Sequence, residues 1–412
     1  MSIKKFFTIA GLFAFTAGFA FAGNFFTNRF YEVRVGADAG FSNNLLSCNE
    51  LLKENLEINL RELADNCPKT GLTFITRADP SLAMNVNVLG FTVGVKSGVD
   101  VYEKLSLEKG FFDFLGYGNT LGEPLSFGFR NDMDIFAYTQ MNLGFKVWKF
   151  KFYAQPSVFL PILSMRNSGG TLTVQNDEDG SIHVGMDADF NLFSGCTLSY
   201  FDEESGTYKM TNFGGSSIEE IFASGYGFDL GGTMSLPLGR NLSIEAVARI
   251  PMVPGQLNSH VSYSAGFSYD AESVMGLADA EMSTSNGGFG QSESTTLYIH
   301  RPLKAAVYVN QNILGSILSL RAGAGFGVQR PFSDSAFFYP EYYLGAEFNL
   351  AEVIKLGVAT QYTDQLFIHQ IGGTVNIRFI QVDAGVSVQS ANFVKSCQGA
   401  GFGAYGYVTV GF

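Results

Sequence analysis

The sequence predicts an all-β fold: a single antiparallel transmembrane β-barrel of about 14 strands, with short turns at one end and long loops bearing short helices at the other. Three observations carry this. Apolar and polar residues alternate with a period of two in segment after segment, as in strands whose two faces meet different surroundings. Tight turns and long connections take turns between those segments. Beyond the N-terminus no apolar run approaches the ~20 residues a membrane helix needs, so the 48 glycines and 40 phenylalanines call for another explanation.

Met1 to Ala22 reads as a secretory signal. Lys4 and Lys5 supply the charged start, Phe6 to Phe19 the apolar middle, and Ala20-Phe21-Ala22 a small-x-small cleavage site. That leaves 23–412 as the barrel. Losing Lys4 and Lys5 takes the formal charge from −12 to −14, which argues against a nucleic-acid partner.

Fourteen segments alternate: 30–43, 80–88, 91–103, 134–146, 149–163, 226–237, 242–252, 302–313, 317–328, 339–350, 354–363, 367–378, 380–388 and 401–412. The last shows the pattern best. Phe402, Ala404, Gly406, Val408, Val410 and Phe412 share one parity, while Tyr405, Tyr407 and Thr409 share the other. Barrel proteins of bacterial outer membranes resemble this, ending on a Phe that the barrel assembly machinery reads; Phe412 stands there. The first segment alternates likewise, and the two are expected to pair and close the barrel, because an open edge cannot face lipid.

Strand charges share the polar parity, which puts them in the lumen. A charge facing lipid costs ~2–4 kcal/mol near the midplane, enough to impose such a pattern. Arg34, Lys96, Lys151, Arg249, Arg321 and Arg378 are thereby expected to line the lumen, facing acids such as Glu32, Asp100 and Glu245. Aromatic residues gather at strand ends: Tyr31, Phe145, Trp148, Phe150, Phe348 and Phe412 by the turns, Phe41, Phe228, Tyr342, Tyr362 and Phe402 by the loops.

The loops carry the helices. Segment 44–79 opens with a plausible capping box at Ser47 and Glu50, followed by a stripe of Leu52, Leu56, Leu60 and Leu63. This helix either plugs the barrel mouth or packs on neighbouring loops. Loop 164–225 is strongly acidic and ends in a short helix with Ile218, Ile221 and Phe222. Loop 253–301 offers another, with Ala271, Val274, Met275, Ala278 and Met282 on one face. Facing each other, these helices would make a groove for an acyl chain; packed together, they would only brace the loops. Cys48, Cys67, Cys196 and Cys397 all fall in loops, on the oxidising side. Cys48 with Cys67 is the favoured bridge, which requires the intervening segment to double back; pairing of Cys397 with the first loop is the rival.

Catalytic and metal chemistry is sparse. Gly401 to Gly406 fits G-x-G-x-x-G, but no helix follows to present amides to a phosphate. His183, His300 and His369 are scattered without paired metal spacing. His260-Val-Ser262 and Tyr138-Thr139-Gln140 are similar to motifs of the outer-membrane phospholipase, with nothing in the sequence to orient the His. Neither an enzyme nor a metal or cofactor is expected.

Fourteen strands, with the third and fourth outer loops longest and each bearing a short apolar helix, resemble the long-chain fatty acid transporter (FadL-like) family, including its spirochaete and Bacteroidetes relatives. Ala78-Asp79-Pro80-Ser81-Leu82-Ala83 looks like the Asn-Pro-Ala segment near the N-terminus of that family. The resemblance is architectural. It implies an outer-membrane protein, surrounded by lipid, that takes up small hydrophobic molecules such as long-chain fatty acids passively. The family threads an N-terminal hatch into its barrel; here only about seven residues lie between the cleavage site and Phe30, so 44–79 is the candidate substitute. A polar lumen suits a general diffusion porin equally, and a surface adhesin is a third reading.

Overall fold

A computed structural model describes residues 29–46, 59–211, 214–271, 282–314, 317–350 and 353–412. The segment expected to be a signal, Cys48 and most of the stretch expected to form the first-loop helix lie outside them.

Strands account for most of the described chain. They are β1 (Tyr31–Asn43), β2 (Leu72–Ala78), β3 (Ser81–Val88), β4 (Phe91–Leu107), β5 (Leu125–Val147), β6 (Phe150–Asn176), β7 (Ile182–Ser194), β8 (Ser199–Asp202) and β9 (Thr207–Met210). After these come β10 (Gly227–Pro237), β11 (Leu242–Val253), β12 (Gly255–Ala271), β13 (Met282–Phe289), β14 (Glu293–Ile299) and β15 (Leu303–Ile313). The chain finishes with β16 (Leu318–Gln329), β17 (Phe337–Leu350), β18 (Ile354–Thr363), β19 (Leu366–Ile377), β20 (Ile380–Ser390) and β21 (Gly401–Gly411). Among the described residues four short helices decorate the loops: α1 (Leu60–Asn66), α2 (Lys109–Tyr117), α3 (Gly215–Ser224) and α4 (Phe393–Cys397).

All pairings are antiparallel, and β21 pairs with β1 from Gly411↔Glu32 to Gly401↔Ser42, which closes the barrel as expected. β2 and β3 form one wall strand broken at Asp79-Pro80. β3 lies against Tyr31–Gly36 and β2 against Ala39–Asn43 of β1. Proline cannot donate to the ladder, which accounts for the break. The turn-side ring then runs β4, β5, β6, β10, β11 and β15 to β21.

The expected count of about 14 needs correction. β7 and β12 stack above β10 and β11; β7 pairs with the upper part of β6, and β12 pairs with β7 from Ser259↔Ser194 to Ala271↔Ile182. Counted with them, the wall has sixteen strands. Segments 164–225 and 253–301, read as loops, are therefore largely β-structure. Segment 44–79 also surrenders a wall strand, β2. Both extra strands do alternate, Ile182, Val184, Met186, Ala188, Phe190 and Leu192 on β7 and Leu257, Val261, Tyr263, Phe267 and Tyr269 on β12, but the Gly, Ser and Asp of their other face and their place inside long connections make them read as loop. Ala271 ends β12 and Met282 begins β13, so both ends of the helix expected there are extended; 272–281 lie outside the described residues.

The faces are inside-out relative to a soluble protein. On β21 Phe402, Val408 and Val410 are exposed, whereas Tyr405, Tyr407 and Thr409 are buried toward the lumen. Leu82, Met84, Val93, Val95, Leu344, Val358 and Ile371 continue the exposed apolar band around the wall. In water such a patch would be a liability; against lipid it is the required surface. At the turn side Trp148, Phe150, Phe152 and Phe145 form a ladder of rings with centroids 5.3–6.2 Å apart.

Tyrosines fill the lumen, and glycines on neighbouring strands make room for them. A Cβ on Gly372 would stand 1.9 Å from the Tyr405 hydroxyl, and one on Gly327 would meet the Tyr339 ring at 2.3 Å.

The described part of segment 44–79 sits at the rim. Ala64 of α1 is buried with Leu45, Cys67, Leu72 and Phe112, the last from α2. Asn59 caps α1 by accepting from the Glu62 amide.

Candidate functional site

Three cavities succeed one another along the barrel interior, of about 1010, 310 and 280 Å³. Lys151, Ser235 and Glu245 line both the first and the second; Lys96, Gln140, Arg249 and Lys304 line both the second and the third. The first opens beside Phe412 and the tight turns. Of the residues expected in the lumen, the structure places Glu32, Arg34, Lys151, Glu245, Arg321 and Arg378 on the first cavity. Lys96, Asp100 and Arg249 stand on the third.

Toward the loops the lumen is crossed by charge pairs from facing walls. Arg330, just past β16, reaches β5 on the opposite side, donating from Nε to Asp134 at 3.0 Å and from Nη1 to Asp132 at 2.7 Å. Arg166 and Ser164 of β6 also donate to Asp134, at 2.8 and 2.7 Å. Asp364, in the β18–β19 turn, receives Lys304 at 2.7 Å and the Tyr339 hydroxyl at 2.7 Å, and faces Arg77 of β2 at 3.7 Å. Lys104 of β4 donates to Gln365 in the same turn at 3.0 Å.

Deeper, Arg301 is buried between Asp229 at 3.1 Å and Asp100 at 3.4 Å, with its guanidinium 4.4 Å from the centre of the Tyr138 ring. Tyr138 donates to Asp79 at 2.6 Å, and Lys96 pairs with the other oxygen of that carboxylate at 3.2 Å. Removing one member of such a buried set strands its partner without solvent, which is costly. These contacts cross-brace facing walls in the outer part of the lumen.

Two apolar clusters lie beside this network, and Tyr138 belongs to one of them. Ile221 of α3 packs with Leu160, Cys196, Leu198 and Val261. Beside them along β6 and β12 come Phe159, Leu257, Phe136, Ile299 and Tyr138. Ile218 and Phe222, on the same helix as Ile221, are 55% and 57% exposed. Val274, Met275 and Ala278 lie outside the described residues, so a groove between facing helices is not on view.

Among the described residues no disulfide forms. Cys67 is a buried thiol in the α1–α2 cluster, Cys196 is buried by Ser194, and exposed Cys397 has its Sγ 3.5 Å from His369 Nε2. Cys48, the partner expected for Cys67 or, in the rival pairing, for Cys397, lies outside the described residues.

His260 does gain an orienting group that sequence alone could not show. Its Nε2 lies 3.1 Å from Asn191 Oδ1 on neighbouring β7, and its Nδ1 3.8 Å from Glu293. No hydrogen bond joins the imidazole to Ser262, so the contact between base and nucleophile that acyl transfer needs is missing. The described residues contain no group of three or more His, Cys, Asp or Glu able to hold a metal ion.

Asp134 and Asp229 were readable as inward by strand parity. Their partners Arg330 and Arg301 were not, because both sit in connections where alternation stops. The one sequence hint is that each precedes a proline, Pro331 or Pro302, which marks where the wall breaks.

No family model matches the chain, and neither does any curated protein. Among solved structures, the chain is similar to the toluene transporter TbuX of Ralstonia pickettii, with a TM-score of 0.46, 10% identity, and coverage of 94% of this chain and 90% of that one. It is also similar to the toluene transporter TodX of Pseudomonas putida, with a TM-score of 0.45, 7% identity, and coverage of 93% and 89%. The translocator domain of autotransporter NalP from Neisseria meningitidis matches with a TM-score of 0.33, 10% identity, and coverage of 95% and 91%. These are low scores, and none carries a substrate over to this chain. The resemblance read from the sequence is of the same kind, architecture without shared motifs.

Proposed function

We propose that this chain is a passive outer-membrane transport protein for small hydrophobic molecules, which are captured at the loop side and released into the lumen. The exposed apolar band supports an outer-membrane location, with the loops outward and the tight turns in the periplasm. The observation that carries the substrate class is an apolar line leading inward. It starts at exposed Ile218 and Phe222, passes the Ile221–Val261–Leu160 cluster, continues through Leu257, Phe159 and Phe136, and ends at Tyr138 on the third cavity. A solute that sheds water at the surface would meet apolar contacts until it reaches the ionic layer around Arg301.

The braced outer mouth weighs against a steadily open general porin. Long-chain fatty acids are one member of the proposed class; toluene, the substrate in the names of two similar structures, is another.

Proteoliposomes test this. Uptake of toluene or a fluorescent acyl chain should exceed that of sucrose, and Phe222→Asp should reduce it several-fold without lowering the unfolding temperature. Sustained high salt conductance indifferent to hydrophobic solutes would establish the porin instead.

A further inference from the structure

The turn-side cavity carries a charge imbalance that an apolar solute would not need. Its wall presents seven Lys and Arg side chains against four Asp and Glu side chains. Three of those carboxylates already have a cation: Asp383 faces Arg34 at 3.7 Å, Glu245 faces Arg321 at 3.0 Å, and Glu347 faces Lys355 at 3.2 Å. The fourth, Glu32, accepts from Asn85 at 3.0 Å.

Arg29, Arg240 and Arg378 come from the tight-turn end, ahead of β1, between β10 and β11, and between β19 and β20. None of the three makes an ion pair among the described residues. Arg29 donates from Nη2 to the Asn376 amide oxygen at 2.8 Å, while its Nη1 is buried without a partner. Arg378 lies 5.2 Å from the centre of the Phe379 ring. A buried guanidinium N–H left unpaired marks a place for an acceptor. A concave wall of one sign also focuses its field into the cavity. This excess of cations stands out in a chain whose formal charge is −12.

We propose that the turn-side chamber is a site for small organic carboxylates, held at the rim by Arg29, Arg240 and Arg378. A guanidinium fork matches a carboxylate in plane and in spacing. Tyr343 and Tyr405, on the same wall, offer ring surface to the organic part. The proposal rests on reading the lumen as a transport route, and it adds amphipathic anions, held at the exit, to the solutes of that route.

Equilibrium dialysis of the purified full-length protein in neutral detergent tests it, with benzoate and benzylammonium as probes of matched size. Benzoate should bind roughly tenfold tighter, a difference of about 1.4 kcal/mol, and high salt should weaken it. The triple variant Arg29→Gln, Arg240→Gln, Arg378→Gln should abolish the preference while leaving the unfolding temperature unchanged. Equal binding of the two probes, binding of neither, or a preference that survives the triple variant would overturn the proposal. Toluene uptake by proteoliposomes separates the two ideas. If the triple variant and wild type both pass toluene but neither prefers benzoate, only the carboxylate site fails; if wild type passes no toluene, the transport reading itself fails.

Discussion

The two ends of one lumen use the same residue types to opposite effect. On the loop side Asp132 and Asp134 of β5 are each held by two arginines, Arg130 and Arg330 on the one and Arg166 and Arg330 on the other, with Arg330 reaching across from a facing wall and Asp134 buried. On the turn side the pairs range from Arg321 with Glu245, at 16% and 12% side-chain exposure, to the wetter Lys355 with Glu347, at 39% and 27%. Arginines also remain over there. The difference teaches that ionic content alone does not describe a channel. Paired and buried charges brace a mouth shut, whereas unpaired ones around an open chamber hold a field for a solute.

The contrast can be broken by substitution. Asp134→Ala should be the most damaging change, because it strands Arg330, Arg166 and Ser164 in a site where Asp134 is 2% exposed. The expected loss is about 3–5 kcal/mol, read by denaturant unfolding in detergent. Next comes Gly372→Val, which would drive a Cβ into the Tyr405 hydroxyl and force the ring into the turn-side chamber. Overpacking of this kind costs roughly 1–3 kcal/mol, and the same unfolding assay checks it. Glu347→Gln removes an ion pair of similar length from the wet end and should cost under about 1 kcal/mol. A loss equal to that of Asp134→Ala would erase the distinction between the two ends.

The smallest effect lies beyond the membrane-spanning part, at the tip of the β6–β7 hairpin. There His183 Nδ1 meets Asp270 at 2.5 Å and Nε2 meets Asp177 at 3.2 Å. The bond to Asp270 raises the imidazole above its ordinary value near 6.5. A group raised on folding stabilises fully below its unfolded value, and that contribution fades as pH rises through the folded one. Amide exchange at the hairpin should therefore quicken modestly as pH climbs past neutrality, after correction for intrinsic rates. His183→Gln should flatten that dependence, and an unchanged profile would show that the pair contributes nothing.

Strand parity made the wall readable, and its limits follow from the same physics. Val408 and Thr409 face lipid and lumen because a period of two must be kept where the outside is hydrocarbon. Paired β7 and β12 keep the same period, Ile182 to Leu192 and Leu257 to Tyr269 on one parity, so their signal is present; the Gly, Ser and Asp of the other face, such as Gly185 and Ser268, make them read as loop. The nine charged residues assigned to the lumen all stand on its cavities, since each sits on a strand or beside a turn. Arg301 and Arg330 were out of reach because their partners are non-local. Nothing within the sequence near Arg330 points to Asp134, 196 positions away on a facing wall. The apolar helix α3 was found by its spacing, yet which of its residues would be buried depended on Val261 and Leu160, from two other strands.

Single-channel conductance of wild type against Arg330→Gln tests the central claim most directly. Loss of Arg330 removes the strut between β16 and β5 while Arg166 still neutralises Asp134, so the barrel should remain folded. The account predicts that wild type stays mostly closed with brief openings, and that the variant shows long-lived openings of the same size. A wild type already open at a steady high level, or a variant gated no differently, would contradict a lumen braced shut at its outer end.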